Sequence, residues 1–302
     1  MSDQADGLRQ LVQARFSASA LVEPSHEDAP PVARSLVFTS GKGGVGTSNL
    51  ALNLAIALGE YGQRVVLVDA DLGLANLDLL CGLAPGRDLG DVLSGEADLE
   101  DALIDGPGEI QILPGAHGSR TLPECLLDAP ARLAAELGDL EQGTDFLLID
   151  AGSGLNSGIA TLARAADGVV IVTTPEPTSM ADAHATLRRL PRPEAGHSTF
   201  RAVVNQAASS AEGMETLAHL AASSRQFLGL VVSPLGYVRS DPGVPQSVRA
   251  RRPFLLAHPA GPASRCVRKL ARTLLEERRP RVRRPGFFAT LAARWSPRRV
   301  AL

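Results

Sequence analysis

Aromatic residues are scarce in this 302-residue chain, at 4%, so its core must be built from Ala, Leu, Val and Ile, which a hydrophobic content of 44% supplies. That length and content can bury a full core. Cysteine is nearly as rare. Cys81, Cys125 and Cys266 are far apart and form no CxxC or Cys/His pair, which disfavours metal, iron–sulfur and disulfide roles and predicts neutral thiols in a reducing compartment. No early apolar stretch resembles a signal peptide, and no run approaches the ~20 apolar residues of a spanning helix. A soluble protein that can touch a membrane surface is expected. Lysine is the most telling shortage: only Lys42 and Lys269 stand among 30 basic residues.

Charge is uneven. Residues 276–302 hold eight arginines against Glu276 and Glu277, a net +6, and the chain's formal net charge of -3 leaves -9 for everything before them. A basic tail on an acidic body suggests an anionic partner for the tail alone. Within it, Phe287, Phe288, Leu291, Ala292 and Trp295 share one helical face flanked by arginines. These are the ingredients of an interfacial helix on anionic lipid. Docking on the protein body and nonspecific attachment to nucleic acid are the alternatives, the membrane being preferred and direct nucleic-acid binding not expected. At the other end, Ala5, Leu8, Leu11, Val12 and Phe16 line one face of a predicted helix over residues 1–16. Residues 17–33, rich in Ser, Ala, Pro and acid, read as a flexible linker. A short helix on a linker is read as a partner-binding element, with packing back on the body as the alternative.

Between these ends, over 34–277, short apolar runs alternate with helical patterns. Strands are predicted at 35–39, 64–68, 110–113, 146–149, 169–172, 201–204 and 228–232, and helices near 47–60, 130–141, 157–166, 178–190, 213–226 and 262–278. Most of the strand runs are continuously apolar, as expected for strands covered on both faces. Strand–helix alternation means right-handed crossovers, so the predicted fold is one α/β domain around a largely parallel, doubly wound sheet with flanking helices.

The segment Thr39-Ser40-Gly41-Lys42-Gly43-Gly44-Val45-Gly46-Thr47-Ser48 joins the first strand to the first helix. Backbone N–H groups of such a loop point inward, and the helix dipole favours an anion there, so the loop is a phosphate cradle. The cradle has a lysine early, at Lys42, and none where the G-x-x-x-x-G-K-[ST] pattern places one; that position is Thr47. In a chain that otherwise uses arginine, Lys42 reads as chosen for its compact ammonium. Ser48 can present its hydroxyl to Mg²⁺. Asp69 and Asp71 end the second strand and Asp150 ends the strand before Gly152 and Gly154, at the sheet edge where open α/β folds bind ligands.

Gly41-Lys42-Gly43-Gly44-Val45-Gly46 resembles the deviant Walker A loop of the MinD/ParA-type P-loop ATPases, and Asp69 to Asp78 resembles their switch I segment. Pro175-Glu176-Pro177-Thr178-Ser179-Met180-Ala181-Asp182-Ala183 and Asp3-Gln4-Ala5-Asp6-Gly7-Leu8-Arg9 are similar, more narrowly, to segments of the FlhG (FleN) subgroup, which controls flagellar number and placement. The resemblance implies ATP and Mg²⁺ as cofactors, held by Gly41 to Ser48, with Asn205 at the adenine edge and Ser48 and Asp150 serving the metal. It implies that Lys42 reaches into the partner's site of an ATP-bridged homodimer and that Asp71 positions the attacking water. It implies further that Gln4, with Leu8 and Arg9, addresses the flagellar signal-recognition-type GTPase FlhF, and that flagellar switch-complex proteins are partners. Phe287, Phe288, Leu291 and Trp295 would seat the dimer on the inner face of the cell membrane, at the pole of a bacterial cell. Thr47 departs from the family pattern, which has lysine bridging the β- and γ-phosphates, so slow hydrolysis is expected. A pseudo-ATPase binding module and a MinD- or ParA-like positioning ATPase remain as alternatives.

Overall fold

Alternate residues of each apolar run feed opposite faces of one sheet, which is why these runs are strands rather than helices. In the computed structural model, β1 (Arg34–Ser40) sends Leu36 and Phe38 to one core and Val37 to the other; β5 (Phe146–Ser153) and β6 (Gly168–Thr173) divide their residues in the same way. The structure describes residues 32–71, 76–115, 137–138, 140–154, 157–192, 199–277 and 286–295. The remaining strands are β2 (Val65–Asp69), β3 (Ile104–Asp105), β4 (Gln111–Leu113), β7 (Thr199–Ala207) and β8 (Val232–Arg239). They form an eight-stranded sheet in the order β3-β4-β2-β5-β1-β6-β7-β8, parallel throughout except for the β3–β4 pair. The chain winds outward from β1 in both directions, so the loop after β1 stands at the topological switch point.

Helix α1 (Thr47–Glu60) is buried over nearly its whole length, Leu50 to Leu58 without interruption. The sheet covers one side, and α9 (Phe254–Ala257) and α10 (Pro262–Glu276) cover the other. This explains a helix with little amphipathic contrast: no side of it faces water. The opposite sheet face is covered by α5 (Ser157–Ala165), α6 (Pro177–Arg189), α7 (Ser210–Ser223) and α11 (Phe287–Trp295). Short helices α2 (Leu77–Cys81), α3 (Leu89–Ser94), α4 (Leu99–Ala102) and α8 (Gly243–Arg249) complete the order. No helix among the described residues is long and apolar enough to cross a membrane.

Several expectations are corrected. The run 228–232 is mostly not strand: Ser224–Leu228 makes a π-helical turn after α7, Gly229 ends it in the left-handed region at φ 65°, and the strand runs from Val232 to Arg239. Pro234 and Gly236 disguised it, being tolerated there because β8 is the sheet's edge. The helices α2, α3, α4, α8 and α9 were not anticipated, since each is too short to show a period. Most of the helix predicted near 130–141 lies outside the described residues, as do Gln4, Leu8 and Arg9.

The tail differs most from expectation. The described residues from Val32 onward form one compact unit, and α11 belongs to it. Phe287, Phe288 and Leu291 are 3%, 5% and 2% exposed and join the core beside α5, where a lipid-facing stripe was expected. The Phe287 and Phe288 rings meet edge to face at 5.0 Å. Glu141, just before β5, caps this helix: its carboxylate accepts the Phe287 and Phe288 N–H groups at 2.9 and 2.7 Å.

A buried amide ties α1 to the C-terminal helices. Buried Asn53 accepts the Leu255 N–H at 2.8 Å and donates to the Asn49 carbonyl at 2.8 Å. Asn53→Ala should strand the buried Leu255 donor and cost about 1–3 kcal/mol. Thermal denaturation would register this as a fall of several degrees, and an unchanged midpoint would show that water replaces the amide.

Candidate functional site

The phosphate loop is shaped by glycine at two kinds of position. Gly44 and Gly46 adopt φ of 81° and 88°, turning successive N–H groups inward. Gly41 permits close approach instead: a Cβ there would stand 2.2 Å from the Asp182 backbone of α6. The loop is braced from three sides. Ser40 Oγ donates to the Lys42 carbonyl at 2.9 Å, Gly154 N–H to the Ser40 carbonyl at 3.0 Å, and Asn205 Nδ2 to the Val45 carbonyl at 2.8 Å. Asn205, expected near the adenine, thus stands against the loop at the end of β7.

The N-terminus of α1 has no side-chain cap and no acidic residue in its first turn. Its donors and dipole are left for an external anion, which is what a bound phosphate chain requires. Thr47 is buried where the lysine of the usual pattern would stand, and its Oγ1 has no hydrogen-bond partner among the described residues. Ser48 makes a side-chain hydrogen bond with Asp150. Among the described residues no group of three or more His, Cys, Asp or Glu could hold a metal unaided. One hydroxyl and one carboxylate beside a phosphate cradle suit Mg²⁺, which keeps waters and takes its remaining oxygens from the nucleotide.

Three carboxylates gather beside the cradle. Asp69 and Asp150 are paired across β2 and β5 and are both about 1% exposed. Burial, with Asp150 adding repulsion, pushes Asp69 up to about 8 against the stabilising N–H groups around it. Burial likewise raises Asp150 to about 6, opposed by Ser48 and the Gly152 N–H. Asp69 also organises the switch segment. Its carboxylate accepts the N–H groups of Asp71, Asn76 and Leu77 at 3.1, 3.0 and 3.2 Å, so it anchors both ends of that segment. Asp71 lies against Gly152, where an added Cβ would fall 2.1 Å from its Oδ2.

Lys42 faces away from this cluster. Its Nζ pairs with Glu176 Oε2 at 3.2 Å, and both side chains are substantially exposed, at 44% and 64%. Glu176 was present in the Pro175–Ala183 segment, but nothing in the spacing linked it to Lys42. Glu141 was also unforeseen, because its partners are backbone groups far along the chain. Cys81 and Cys266 are free and half-buried, as expected of neutral thiols, and burial with Asp78 nearby pushes the Cys81 thiol up to about 12. Cys125, the Trp295 side chain and residues 72–75 lie outside the described atoms.

Comparison with known proteins bears on this arrangement. The model of the CobQ/CobB/MinD/ParA nucleotide binding domain matches residues 36–248. The antiactivator FleN of Pseudomonas aeruginosa is 37% identical over 236 residues, covering 78% of this chain and 84% of that protein. The flagellum site-determining protein YlxH of Helicobacter pylori is 36% identical over 154 residues, 51% of this chain and 52% of that protein. Among solved structures, the septum site-determining protein MinD complexed with Mg-ADP, from Pyrococcus horikoshii, superposes with a TM-score of 0.64 at 28% identity, covering 83% of this chain and all of that one. With a family model matched over most of the chain and a relative 37% identical over 84% of its own length, the chain belongs to the MinD/ParA-type branch of the CobQ/CobB/MinD/ParA nucleotide-binding family, alongside FleN.

Proposed function

We propose that this chain is a nucleotide-dependent switch that regulates flagellar number and placement through an ATP-bridged homodimer. One observation carries the reading: the only cation in the phosphate loop, Lys42, is exposed and paired with Glu176, and position 47 of the cradle holds a threonine. A triphosphate with Mg²⁺ carries about two uncompensated negative charges, and the backbone nest supplies only partial ones. Lys42 cannot serve its own cradle while it pairs with Glu176. A second copy presenting Lys42 across the interface would complete the site, so ATP binding and dimerisation become one event. ADP, with less charge to balance, needs that lysine less.

In this reading Gly41 to Ser48 bind the phosphates, Ser48 and Asp150 serve Mg²⁺, and Asn205 would have to leave the Val45 carbonyl to meet the adenine edge. When bound, Mg²⁺ supplies charge neutralisation between the phosphates. Asp71, at the end of the segment that Asp69 anchors, is the residue for orienting a water. The missing lysine at position 47 removes a charge-assisted contact worth about 1.5–3 kcal/mol in general, so turnover is slow. A pseudo-ATPase is the second reading, favoured by one specific observation: the buried, unpartnered hydroxyl of Thr47.

The output of the switch is binding. The name of the flagellum site-determining protein YlxH supports a flagellar role, with Gln4, Leu8 and Arg9 offered to the GTPase FlhF and further contacts to switch-complex proteins. Anionic membrane is the partner of the tail. Phe287, Phe288 and Leu291 must leave the core before they can meet lipid, so membrane binding requires α11 to undock, and doubling a weak anchor in the dimer raises its avidity.

Three outcomes are expected. Calorimetry with Mg-ATP, alongside light scattering, should show dimerisation that Lys42→Ala abolishes; ATP-bound dimers of that variant would sink the trans-lysine reading. Thr47→Lys should tighten ATP about 10- to 100-fold and raise turnover; no change in either would establish the pseudo-ATPase. Burial holds Glu141 up at about 7, against the two N–H groups it accepts. A carboxyl raised in the docked state favours docking while protonated, and that preference is lost as pH rises through about 7. Fluorescence of the single tryptophan, Trp295, should therefore report increasing release of α11 as pH rises from about 4.5 to about 7, and Glu141→Gln should flatten the profile. An identical profile in the variant would remove Glu141 from the latch.

A further inference from the structure

A groove of about 350 Å³ runs along the free edge of the sheet, between α7 and α10, and none of the phosphate-loop residues line it. Its floor is apolar: Leu217 from α7, Leu235 from β8 and Leu270 from α10 are buried there. Met214 stands at one lip, 55% exposed. The other lip is cationic, with Arg239, Arg265 and Lys269 all exposed and no carboxylate anywhere in the lining. Neither Arg239 nor Lys269 has an acidic partner among the described residues, and Arg265 only donates to the Ala260 carbonyl. The chain before residue 276 is net acidic, and Lys269 is the one lysine outside the phosphate loop.

We propose that this groove is a docking site for an acidic amphipathic helix of a partner protein. An apolar trough with a flexible methionine lip suits the apolar stripe of a helix, as in helix-in-groove recognition. Arg265 and Lys269 are one turn apart on α10, about 6 Å, which matches carboxylates spaced i and i+4 on a helix laid alongside. An added strand is the poorer occupant, although β8 is an edge. Pro234 has no N–H to offer, and the pairing register of β8 shifts between Pro234 and Gly236. The lip cations set the polarity of the partner, and complementary charge governs specificity and encounter more than raw affinity. The site is separate from the nucleotide cradle, so its occupation does not depend on the switch described above.

The test uses the full chain and two synthetic 14-residue helical peptides. Both carry leucine at i, i+3, i+7 and i+10; one has glutamates and the other lysines on the flanks of that stripe. Fluorescence anisotropy should show the acidic peptide binding more tightly, and Arg265→Glu with Lys269→Glu should invert the preference, each change being about tenfold. Inversion cannot arise from misfolding, and unchanged Mg-ATP binding by the double variant gives a second check on the fold. Equal affinity for the two peptides, or the same preference in the variant, would overturn the proposal. So would competition by decanoate at equal concentration, which would assign the groove to a small anionic amphiphile. Loss of the groove to concentration-dependent self-association would assign it to a second copy of this chain.

Discussion

The structure turns on leaving the N-terminus of α1 without a cap. Most helices satisfy their first N–H groups with a side chain or water, and this one keeps them for an anion while burying the rest of its length. That arrangement is stable only if everything else about the helix is secured. The sheet, α9 and α10 secure it by packing, Asn53 by a buried amide, and α6 by pressing on Gly41. The cradle is thus a backbone structure held from outside, and changing the side chain at position 47 leaves its shape intact.

A second tension is buried negative charge. Asp69 and Asp150 lie side by side with almost no solvent, and their raised carboxyl groups record an arrangement that costs stability in the absence of a cation. Such strain is characteristic of sites built for a ligand rather than for the resting fold. Glu141 shows the same chemistry used differently, since its buried carboxylate faces the N-terminus of α11 rather than a metal. Capping and dipole both favour the charged form there, while burial opposes it. The tail is accordingly docked by a group whose preference is finely balanced.

What the sequence made legible was whatever has a local signature. The continuously apolar runs gave the central strands, and the glycine loop between β1 and α1 gave the cradle within a residue. Asp150 was recognisable because it ends such a run just before Gly152. Illegible were the features that depend on distant backbone. Glu141 meets Phe287 and Phe288 only because α11 folds back beside α5, and no periodicity within the tail distinguishes a stripe that faces lipid from one that faces its own core. The strand β8 was hidden by Pro234 and Gly236, residues that read as breakers unless one knows that they lie at a sheet edge. Helices of four to seven residues escaped because they span at most two turns.

A lysine inside the cradle would neutralise phosphate charge in a single copy of the chain and make binding independent of assembly. With Thr47 there instead, the only compact cation of the loop sits at the surface, where its partner Glu176 is itself exposed and the pair is worth little in water. Exchanging that weak contact for phosphate oxygens in a second copy costs almost nothing, whereas an arginine fork anchored by two parallel bonds would be harder to release. A chain that otherwise relies on arginine therefore has a physical reason to keep lysine at position 42. In the switch proposed above, removing the in-place charge would not abolish the site; it would transfer control from the nucleotide alone to the nucleotide together with a second subunit.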